Sequence, residues 1–172
     1  INNAVAQGIT VVAAAGNSAL KNPGGSNWPA LCDNVISVAN VTQNFDRRFD
    51  SDYNSTVDIA APGTDIYAWD KSNRIYALSG TSMAAPHISG VAAVLRSFYP
   101  KLSASSIKSI ILNSGISMNE KLKEPGSENI LEPNSMSLTG KTVNLYNALI
   151  YASIFKKNDP KGSLNKYKSI IK

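Results

Sequence analysis

The chain has 172 residues, of which 43% are hydrophobic and 17% are charged, as is typical of one globular domain with its own core. No apolar run reaches the roughly 18 residues that a membrane span needs, so we predict no membrane span. The formal net charge of +5 comes from residues 156–172, which hold six lysines and one aspartate, and we predict no nucleic-acid partner because a nucleic-acid surface spreads over a folded face.

The two ends of the chain and its cysteine give further limits. Residues 156–172 are predicted to form a Lys-rich tail, either disordered or a linker, since charge runs are usually solvated. A weak contact with a membrane surface is the alternative for this tail. Cys32 is the only cysteine, so no internal disulfide forms. The chain starts at Ile1 without a charged leader, and we expect this start to lie inside a longer protein.

The first predicted strand ends at a polar residue. After a short helix over residues 2–7, residues 9–15 form a continuous apolar run, which is typical of a strand buried on both faces of a parallel sheet. The run ends at Gly16 and Asn17. Open α/β sheets bind their ligands at the carboxyl ends of strands, and the amide of Asn17 is able to donate to an oxyanion. An ordinary turn is the alternative interpretation.

The middle of the chain predicts more strands. Residues 35–41 and 57–61 are apolar runs of strand length, while residues 66–69 and 74–78 flank a polar turn and predict a hairpin. Between the first two runs, Asp46, Asp50 and Asp52 lie in a charged segment that we interpret as a solvated surface loop. These acidic residues do not follow the spacing of an EF-hand calcium loop.

A long apolar helix is predicted over residues 82–99, with Gly80, Thr81 and Ser82 at its start. The unpaired amides and the dipole at a helix N-terminus favour developing negative charge, which a serine hydroxyl creates when it attacks an acyl carbon. The alternative is that Thr81 or Ser82 is an ordinary N-cap. His87, the only histidine, lies five residues after Ser82 and therefore about 140° around the helix. We interpret it as a structural core histidine.

Helices and loops alternate in the last third of the chain. Ser103 is a predicted N-cap, and isoleucines at helical spacing follow it. Residues 116–139 are polar and predict a long surface loop. A last apolar helix is predicted over residues 145–155.

Two segments resemble known motifs of one family. Residues 80–90 resemble the nucleophile motif of the subtilisin-like serine proteases, and residues 8–17 resemble the strand that ends in their oxyanion-hole asparagine. The resemblance extends over residues 1–155. It implies an α/β fold of the subtilisin-like three-layer type, with a mostly parallel sheet flanked by helices. Residues 1–155 would be the carboxyl-terminal half of the catalytic domain, with the amino-terminal part missing.

The resemblance also implies roles for particular residues. Ser82 would be the nucleophile of a serine endopeptidase, and Asn17 with the Ser82 amide would hold the oxyanion. Ala14, Ala15 and Gly16 would form one wall of the primary specificity pocket for a peptide or protein substrate. The aromatic-proline pair at 28–29 matches a pair beside that pocket, with a cis or a trans bond. Secretion or a cell-envelope location is expected from the family.

Two members of the family's catalytic triad, the Asp and the His, are absent from the chain. The family's Asp and base His each have a motif upstream of the oxyanion asparagine, and His87 does not match the base motif. A serine without a base is a poor nucleophile at neutral pH. We therefore predict that this chain alone is inactive and needs the amino-terminal half of its own domain as a partner.

Two other functions remain open at this stage. The first is a non-catalytic peptide-binding module or remnant with a subtilase-like fold, and the second is a transpeptidase or cyclase that uses the same acyl-enzyme. The resemblance requires no cofactor, and the sequence predicts no metal ligands. Calcium remains open because many family members bind it.

Overall fold

The computed structural model describes residues 1–21, 27–118, 122–124 and 128–171. Nine strands and five α-helices alternate along these residues. In chain order the strands are β1 (Val11–Ala14), β2 (Val35–Val41), β3 (Ile59–Pro62), β4 (Ile66–Trp69), β5 (Ile75–Leu78), β6 (Ile116–Ser117), β7 (Leu122–Lys123), β8 (Ile130–Leu131) and β9 (Lys141–Thr142). The helices are α1 (Asn2–Ala6), α2 (Thr81–Phe98), α3 (Ala104–Ser114), α4 (Leu145–Ile154) and α5 (Pro160–Ile170), with one 3₁₀ turn at Pro133–Ser135.

The main sheet has five strands in the order β1-β2-β3-β9-β6. The first four strands are parallel and only β6 runs antiparallel to its neighbour. Strands β4 and β5 form the separate antiparallel hairpin that the sequence predicts. The α/β architecture with a mostly parallel sheet flanked by helices is therefore confirmed.

Strand β2 lies between the edge strand β1 and strand β3 in the sheet. All seven of its residues are buried, as expected for an apolar strand with parallel neighbours on both sides. Alternate side chains point to opposite faces: Ile36 and Val38 join one buried cluster, while Ala39 and Val41 join another. The predicted bounds of this strand, residues 35–41, agree with the structure.

The two faces of the sheet have different covers. The first face packs against the apolar stripes of α2, α3 and α4, through residues such as Ile88, Leu95 and Ile110. The second face packs against non-helical segments, represented by Tyr53 and Met136. The helix predicted over 82–99 is α2, and Ser103 caps α3 by accepting a hydrogen bond from the Ser106 N–H at 3.2 Å.

The Lys-rich tail differs from the expectation of a disordered segment or linker, because most of it forms helix α5. Asp159 caps the helix by accepting from the Gly162 N–H at 2.9 Å, and Pro160 occupies a first-turn position that suits proline. Tyr167 is 1% exposed and lies against Tyr151 of α4, with ring centroids 5.0 Å apart. The charge of this segment did not predict a packed helix, because the packing depends on one buried tyrosine among six lysines. The division of the chain at residue 155 stays a prediction.

The predicted loop over 116–139 contains short ordered pieces, namely β6, the β7–β8 hairpin and the 3₁₀ turn, while residues 119–121 and 125–127 of it lie outside the described part. In the described ranges, no helix is long and apolar enough to cross a membrane. The fold brings the carboxyl end of β1 to the amino end of α2, and the candidate site lies at this junction.

Candidate active site

Ser82 occupies the second position of α2, and its side chain is exposed. Helix N-termini leave backbone N–H groups without helical partners. Among the described residues, the Ser82 N–H has no hydrogen-bond partner, while the next two N–H groups both bond to the Gly80 carbonyl. One unpaired donor therefore lies beside an exposed hydroxyl at the positive end of an 18-residue helix.

Asn17 lies directly against the start of this helix, although it is 64 positions from Thr81 in sequence. Its side-chain Oδ1 accepts a hydrogen bond from the Thr81 N–H at 2.9 Å. In the other direction, the Gly16 N–H donates to Thr81 Oγ1 at 3.2 Å. The two predicted motifs are thus joined by a reciprocal pair of hydrogen bonds around Thr81, whose side chain is completely buried.

The Thr81 bond fixes which end of the Asn17 amide is available. An N–H group requires an acceptor, so Oδ1 must face Thr81, and Nδ2, the donor end, is left free to face another acceptor. Gly80 presents no side chain to this amide: a Cβ there would lie 3.4 Å from Nδ2. The amide of Asn17, which is bonded to Thr81, and the N–H of Ser82 are therefore two donors at the α2 N-terminus.

A third segment, the turn at Gly63 after β3, is hydrogen-bonded to the residue before α2. The Gly80 N–H donates to the Gly63 carbonyl at 2.8 Å. At Gly63 a Cβ would lie only 2.7 Å from both the Gly80 oxygen and Asn40 Oδ1, and 2.9 Å from the Ala84 Cβ. This turn after β3 therefore requires glycine for steric reasons, and it holds the backbone at Gly80, two residues before Ser82.

The residues predicted for the pocket wall lie together at the end of β1, but they differ in burial. Ala14 and Gly16 are half-buried, whereas the Ala15 side chain is fully buried in the core cluster on the second face of the sheet. Only its backbone is therefore available for a ligand. Nearby, the Trp28–Pro29 peptide bond is cis, and the Trp28 side chain is 65% exposed.

His87 is not in the core, so the interpretation of a structural core histidine was wrong. Its side chain is exposed, and Nδ1 lies 3.0 Å from the Met83 carbonyl oxygen. That interpretation rested on the five-residue spacing, which directs His87 away from Ser82 but does not determine whether that face of the helix is covered. Within the described residues, however, nothing covers this face of α2, where Pro86 and Gly90 are also exposed.

The acidic segment was interpreted as a solvated loop, and for Asp52 this interpretation is wrong. Asp52 is fully buried, and its carboxylate accepts hydrogen bonds from the N–H groups of Ser18 and Leu20 and from Asn27 Nδ2. A carboxylate surrounded by three N–H donors does not fit a calcium ligand. The described part of the chain contains no group of three or more His, Cys, Asp or Glu side chains placed to hold a metal ion.

Sequence reasoning missed Thr81 and Asp52 as parts of the site. Thr81 was considered only as a cap, although its position between Gly80 and Ser82 placed it next to the predicted nucleophile. Asp52 carries no local signal, because its donors lie 25 to 34 positions earlier in the chain.

Comparisons with known proteins agree with this geometry. The model of the Subtilase family matches residues 1–148. Subtilisin DY from Bacillus licheniformis is 39% identical over 123 residues, which are 70% of this chain and 44% of that protein. Thermitase from Thermoactinomyces vulgaris is 45% identical over 114 residues, covering 66% of this chain and 39% of the relative.

Solved structures have the same fold. A structure of proteases from Pseudoalteromonas arctica has a TM-score of 0.67 and 29% identity, covering 88% of this chain and 45% of that one. The Prenylagaramide maturation protease PagA has a TM-score of 0.71 over 86% of this chain and 52% of its own, and at 23% identity it supports the fold alone. The chain spans less than half the length of the two curated relatives. With most of its length matching the family model, the chain belongs to the subtilase family of serine proteases.

Proposed function

We propose that this chain carries the nucleophile and the oxyanion hole of a serine endopeptidase. Ser82 Oγ attacks the carbonyl carbon of a peptide bond and forms an acyl-enzyme. The negative charge that develops on the carbonyl oxygen is stabilised by Asn17 Nδ2 and the Ser82 N–H. The observation that supports this assignment most directly is the hydrogen bond from the Thr81 N–H to Asn17 Oδ1, at 2.9 Å, which leaves the donor end of the amide free beside Ser82.

The proton of Ser82 needs an acceptor that the described residues do not provide. The chain has one histidine, His87, which is exposed on the same helix with Nδ1 at the Met83 carbonyl. We therefore assign the base to a histidine outside this chain's sequence, oriented by an aspartate, as in the Asp-His-Ser order of subtilisins. The histidine takes the proton from Ser82 and later returns it to the leaving amine.

The missing base has a natural source in the amino-terminal half of the same catalytic domain. Strand β1 is at the edge of the sheet, and its outer backbone groups are available for one more strand. Two residues before its start, Ile9 is 54% exposed. An additional segment with strands and apolar side chains would cover this edge and bring the base to Ser82.

The substrate is a peptide or protein whose backbone lies along the end of β1. Ala14 and Gly16 leave space for the substrate there, and Ala15 contributes its backbone, since its side chain is buried. No cofactor takes part in this mechanism, because acyl transfer to serine needs only a base and oxyanion donors. We propose a secreted or cell-envelope location, as expected for the family.

The assignment of Ser82 is tested by active-site labelling of the natural protein that contains this chain. A fluorophosphonate probe should form one adduct, located by peptide mass spectrometry at Ser82, and Ser82→Ala should lose both the adduct and peptide turnover. Ser97→Ala, the same change at an exposed position of α2, is the matched control and should retain both. Undiminished turnover in Ser82→Ala would overturn the proposal. Labelling without turnover would favour a binding module, and transfer to an added amine would favour a transpeptidase.

The need for an external base has its own test. The 172-residue chain alone is expected to give no peptide turnover, because its serine hydroxyl stays protonated and unassisted. Adding a polypeptide that carries the upstream Asp and His motifs should restore turnover. Inhibitor-sensitive cleavage by the pure 172-residue chain would contradict the assignment of the base to another segment.

A further inference from the structure

Asp52 is a buried carboxylate with no part in the acyl-transfer steps described above. It lies 35 positions after Asn17 in sequence, in a segment that is hydrogen-bonded to the Asn17 loop. Its exposed fraction is 0%. Burying a carboxylate is costly unless its oxygens are hydrogen-bonded, so its partners indicate what the fold gains from it.

The partners of Asp52 enclose Asn17 on both sides. Oδ1 accepts from the Ser18 N–H at 3.0 Å and from the Leu20 N–H at 2.8 Å, immediately after Asn17. Immediately before it, the Gly16 carbonyl accepts from the Asp52 N–H at 2.9 Å. The backbone on each side of Asn17 is therefore bonded to the same residue.

The second carboxylate oxygen of Asp52 is linked through Asn27 to the backbone at the end of β1. The Nδ2 group of Asn27 donates to Asp52 Oδ2 at 2.8 Å and to the Ala15 carbonyl at 2.7 Å. Gly16 fits between these side chains only because it lacks a Cβ, which would lie 2.1 Å from Asp52 Oδ2 and 2.6 Å from Asn27 Nδ2. Its φ of +117° also lies in the region that favours glycine.

The segment that carries Asp52 is itself anchored. The Ser51 hydroxyl accepts from the Asn40 N–H of β2 at 2.9 Å. The guanidinium of the buried Arg47 donates to the Ser51 and Phe49 carbonyls and stacks 4.8 Å from the Tyr53 ring centroid. Asp52 thus connects the Asn17 loop to the fully buried strand β2.

We propose that Asp52 is a positioning residue for the oxyanion hole: it fixes the backbone around Asn17 so that the amide of Asn17 meets the developing oxyanion. This inference rests on the proposed function of Asn17 and deepens it. The energetic reason is that a catalytic donor contributes through its fixed position, and a displacement of about 1 Å costs up to about 100-fold in rate. Asp52 touches neither substrate nor nucleophile, and it acts through Asn17.

The test is a double-mutant cycle on the natural protein that contains this chain. Asp52→Asn keeps the shape of the side chain but replaces one acceptor oxygen with a donor, so at least one of its hydrogen bonds is lost. We expect kcat to fall about 10- to 100-fold with KM little changed, because the oxyanion contact is made only in the transition state. Asp33→Asn, the same change at an exposed position, should leave kcat unchanged.

The decisive comparison is made in the Asn17→Ala background. If Asp52 acts through Asn17, Asp52→Asn should cause no further loss of kcat there. An equal fold-loss in both backgrounds would show a general structural role and overturn the proposal, and so would an unchanged kcat in Asp52→Asn alone. If Asn17→Ala itself leaves kcat unchanged, the oxyanion assignment fails first, and the role of Asp52 fails with it.

A second variant keeps the test decisive if Asp52→Asn does not fold. Asn27→Ala removes one donor to Asp52 Oδ2 and leaves both backbone bonds of Oδ1. We expect a smaller loss of kcat that disappears in the Asn17→Ala background. A loss that persists at full size in that background would overturn the proposal.

Discussion

The Oδ1 atom of Asn17 accepts a hydrogen bond from the backbone N–H of Thr81 at 2.9 Å. This bond joins the end of a sheet strand to the first turn of a helix that begins 64 positions later. It uses the acceptor of the amide and leaves its donor end free beside Ser82. The orientation of the amide is therefore set by the fold before any substrate binds, which is the condition for oxyanion stabilisation without reorganisation.

Substitutions of Asn17 separate its two ends. Asn17→Ala removes both the acceptor and the donor, and we expect kcat to fall about 10²- to 10³-fold, a range established for the loss of one oxyanion donor in a subtilisin. Asn17→Asp keeps an acceptor for the Thr81 N–H but places negative charge next to the oxyanion, so its kcat should be lower still. Steady-state kinetics on a chromogenic peptide would measure both values.

Thermal unfolding of the same two variants supplies the control. Asn17→Asp should melt closer to the natural protein than Asn17→Ala does, because it retains the bond to Thr81. The order expected for kcat is thus opposite to the order expected for stability. If Asn17→Asp were as active as the natural protein, Nδ2 would not be an oxyanion donor.

A substitution at Gly63 should also lower the activity of Ser82, although Gly63 does not contact Ser82. A Cβ at Gly63 would lie 2.7 Å from the Gly80 oxygen, which is backbone and has no flexible side chain to move away. Gly63→Ala should therefore shift the start of α2, lower kcat by at least about tenfold and destabilise the fold by about 1–3 kcal/mol. Gly63→Ser, which is larger, should lose more of both in kinetic and urea-unfolding measurements. Full activity in Gly63→Ala would contradict the tight packing described here.

The sequence was most informative for elements that are determined by neighbouring residues. The apolar run at 35–41 became β2 with the same bounds, and Ser103 capped α3 as expected. Ser82 and Asn17 were identified from two motifs, and the structure brings both motifs to one junction. Periodicity and capping describe such elements well, because neighbours in sequence determine them.

The features that the sequence did not predict depend on distant partners. Asp52 lies among polar residues, as in a solvated loop, yet it is buried. The groups that donate hydrogen bonds to it lie 25 to 34 positions earlier in the chain. Tyr167 was assigned to a charged tail, although its ring packs on Tyr151. His87 was assigned to the core because it points away from Ser82 on the helix, although its side chain is exposed. In each case, the presence or absence of tertiary packing decided the burial of the side chain.

His87 is expected to have no role as the base. It lies five residues after Ser82 on one helix, which directs the two side chains about 140° apart, and its Nδ1 lies at the Met83 carbonyl. His87→Gln should therefore keep kcat within about a factor of three of the natural value, since surface changes are usually small. The acid limb of the pH–rate profile should also be kept, because that limb reports the base that activates Ser82. Loss of the acid limb in His87→Gln would make His87 the base and contradict the proposed external histidine.

Helix α5 should contribute measurably to stability. Tyr167 is 1% exposed, and its hydroxyl donates to the Ser114 carbonyl at 3.3 Å. Tyr167→Ala should cost about 3–5 kcal/mol, as for other buried aromatic side chains, while Tyr167→Phe should cost about 1 kcal/mol for one hydrogen bond. Tyr146→Ala is the matched control, because Tyr146 is 71% exposed. Equal urea midpoints for Tyr167→Ala and Tyr146→Ala would contradict the docking of α5.

The same tyrosine predicts an alkaline loss of stability. Burial raises the pKa of Tyr167 and Tyr151 above the ordinary value of 10.0. Above pH 10 the unfolded chain therefore releases these protons while the folded chain keeps them, so the free energy of unfolding falls as the pH rises. Lys141 acts in the opposite direction, because burial first and then the charge of Lys168 lower its pKa below 10.5. Its contribution to stability thus rises with pH up to that value.

Tyr167→Phe isolates the tyrosine from the lysine. Phenylalanine does not titrate, so the variant should lose less stability than the natural protein as the pH rises beyond 10, while the contribution of Lys141 is the same in both. The gap in urea midpoint between the two proteins should accordingly be largest near neutral pH, where the hydrogen bond to Ser114 is intact, and should narrow at alkaline pH. A gap in urea midpoint that stays constant across this range would mean that Tyr167 has the same pKa in the folded and unfolded chain. That result would contradict the burial of the Tyr167 ring against α4.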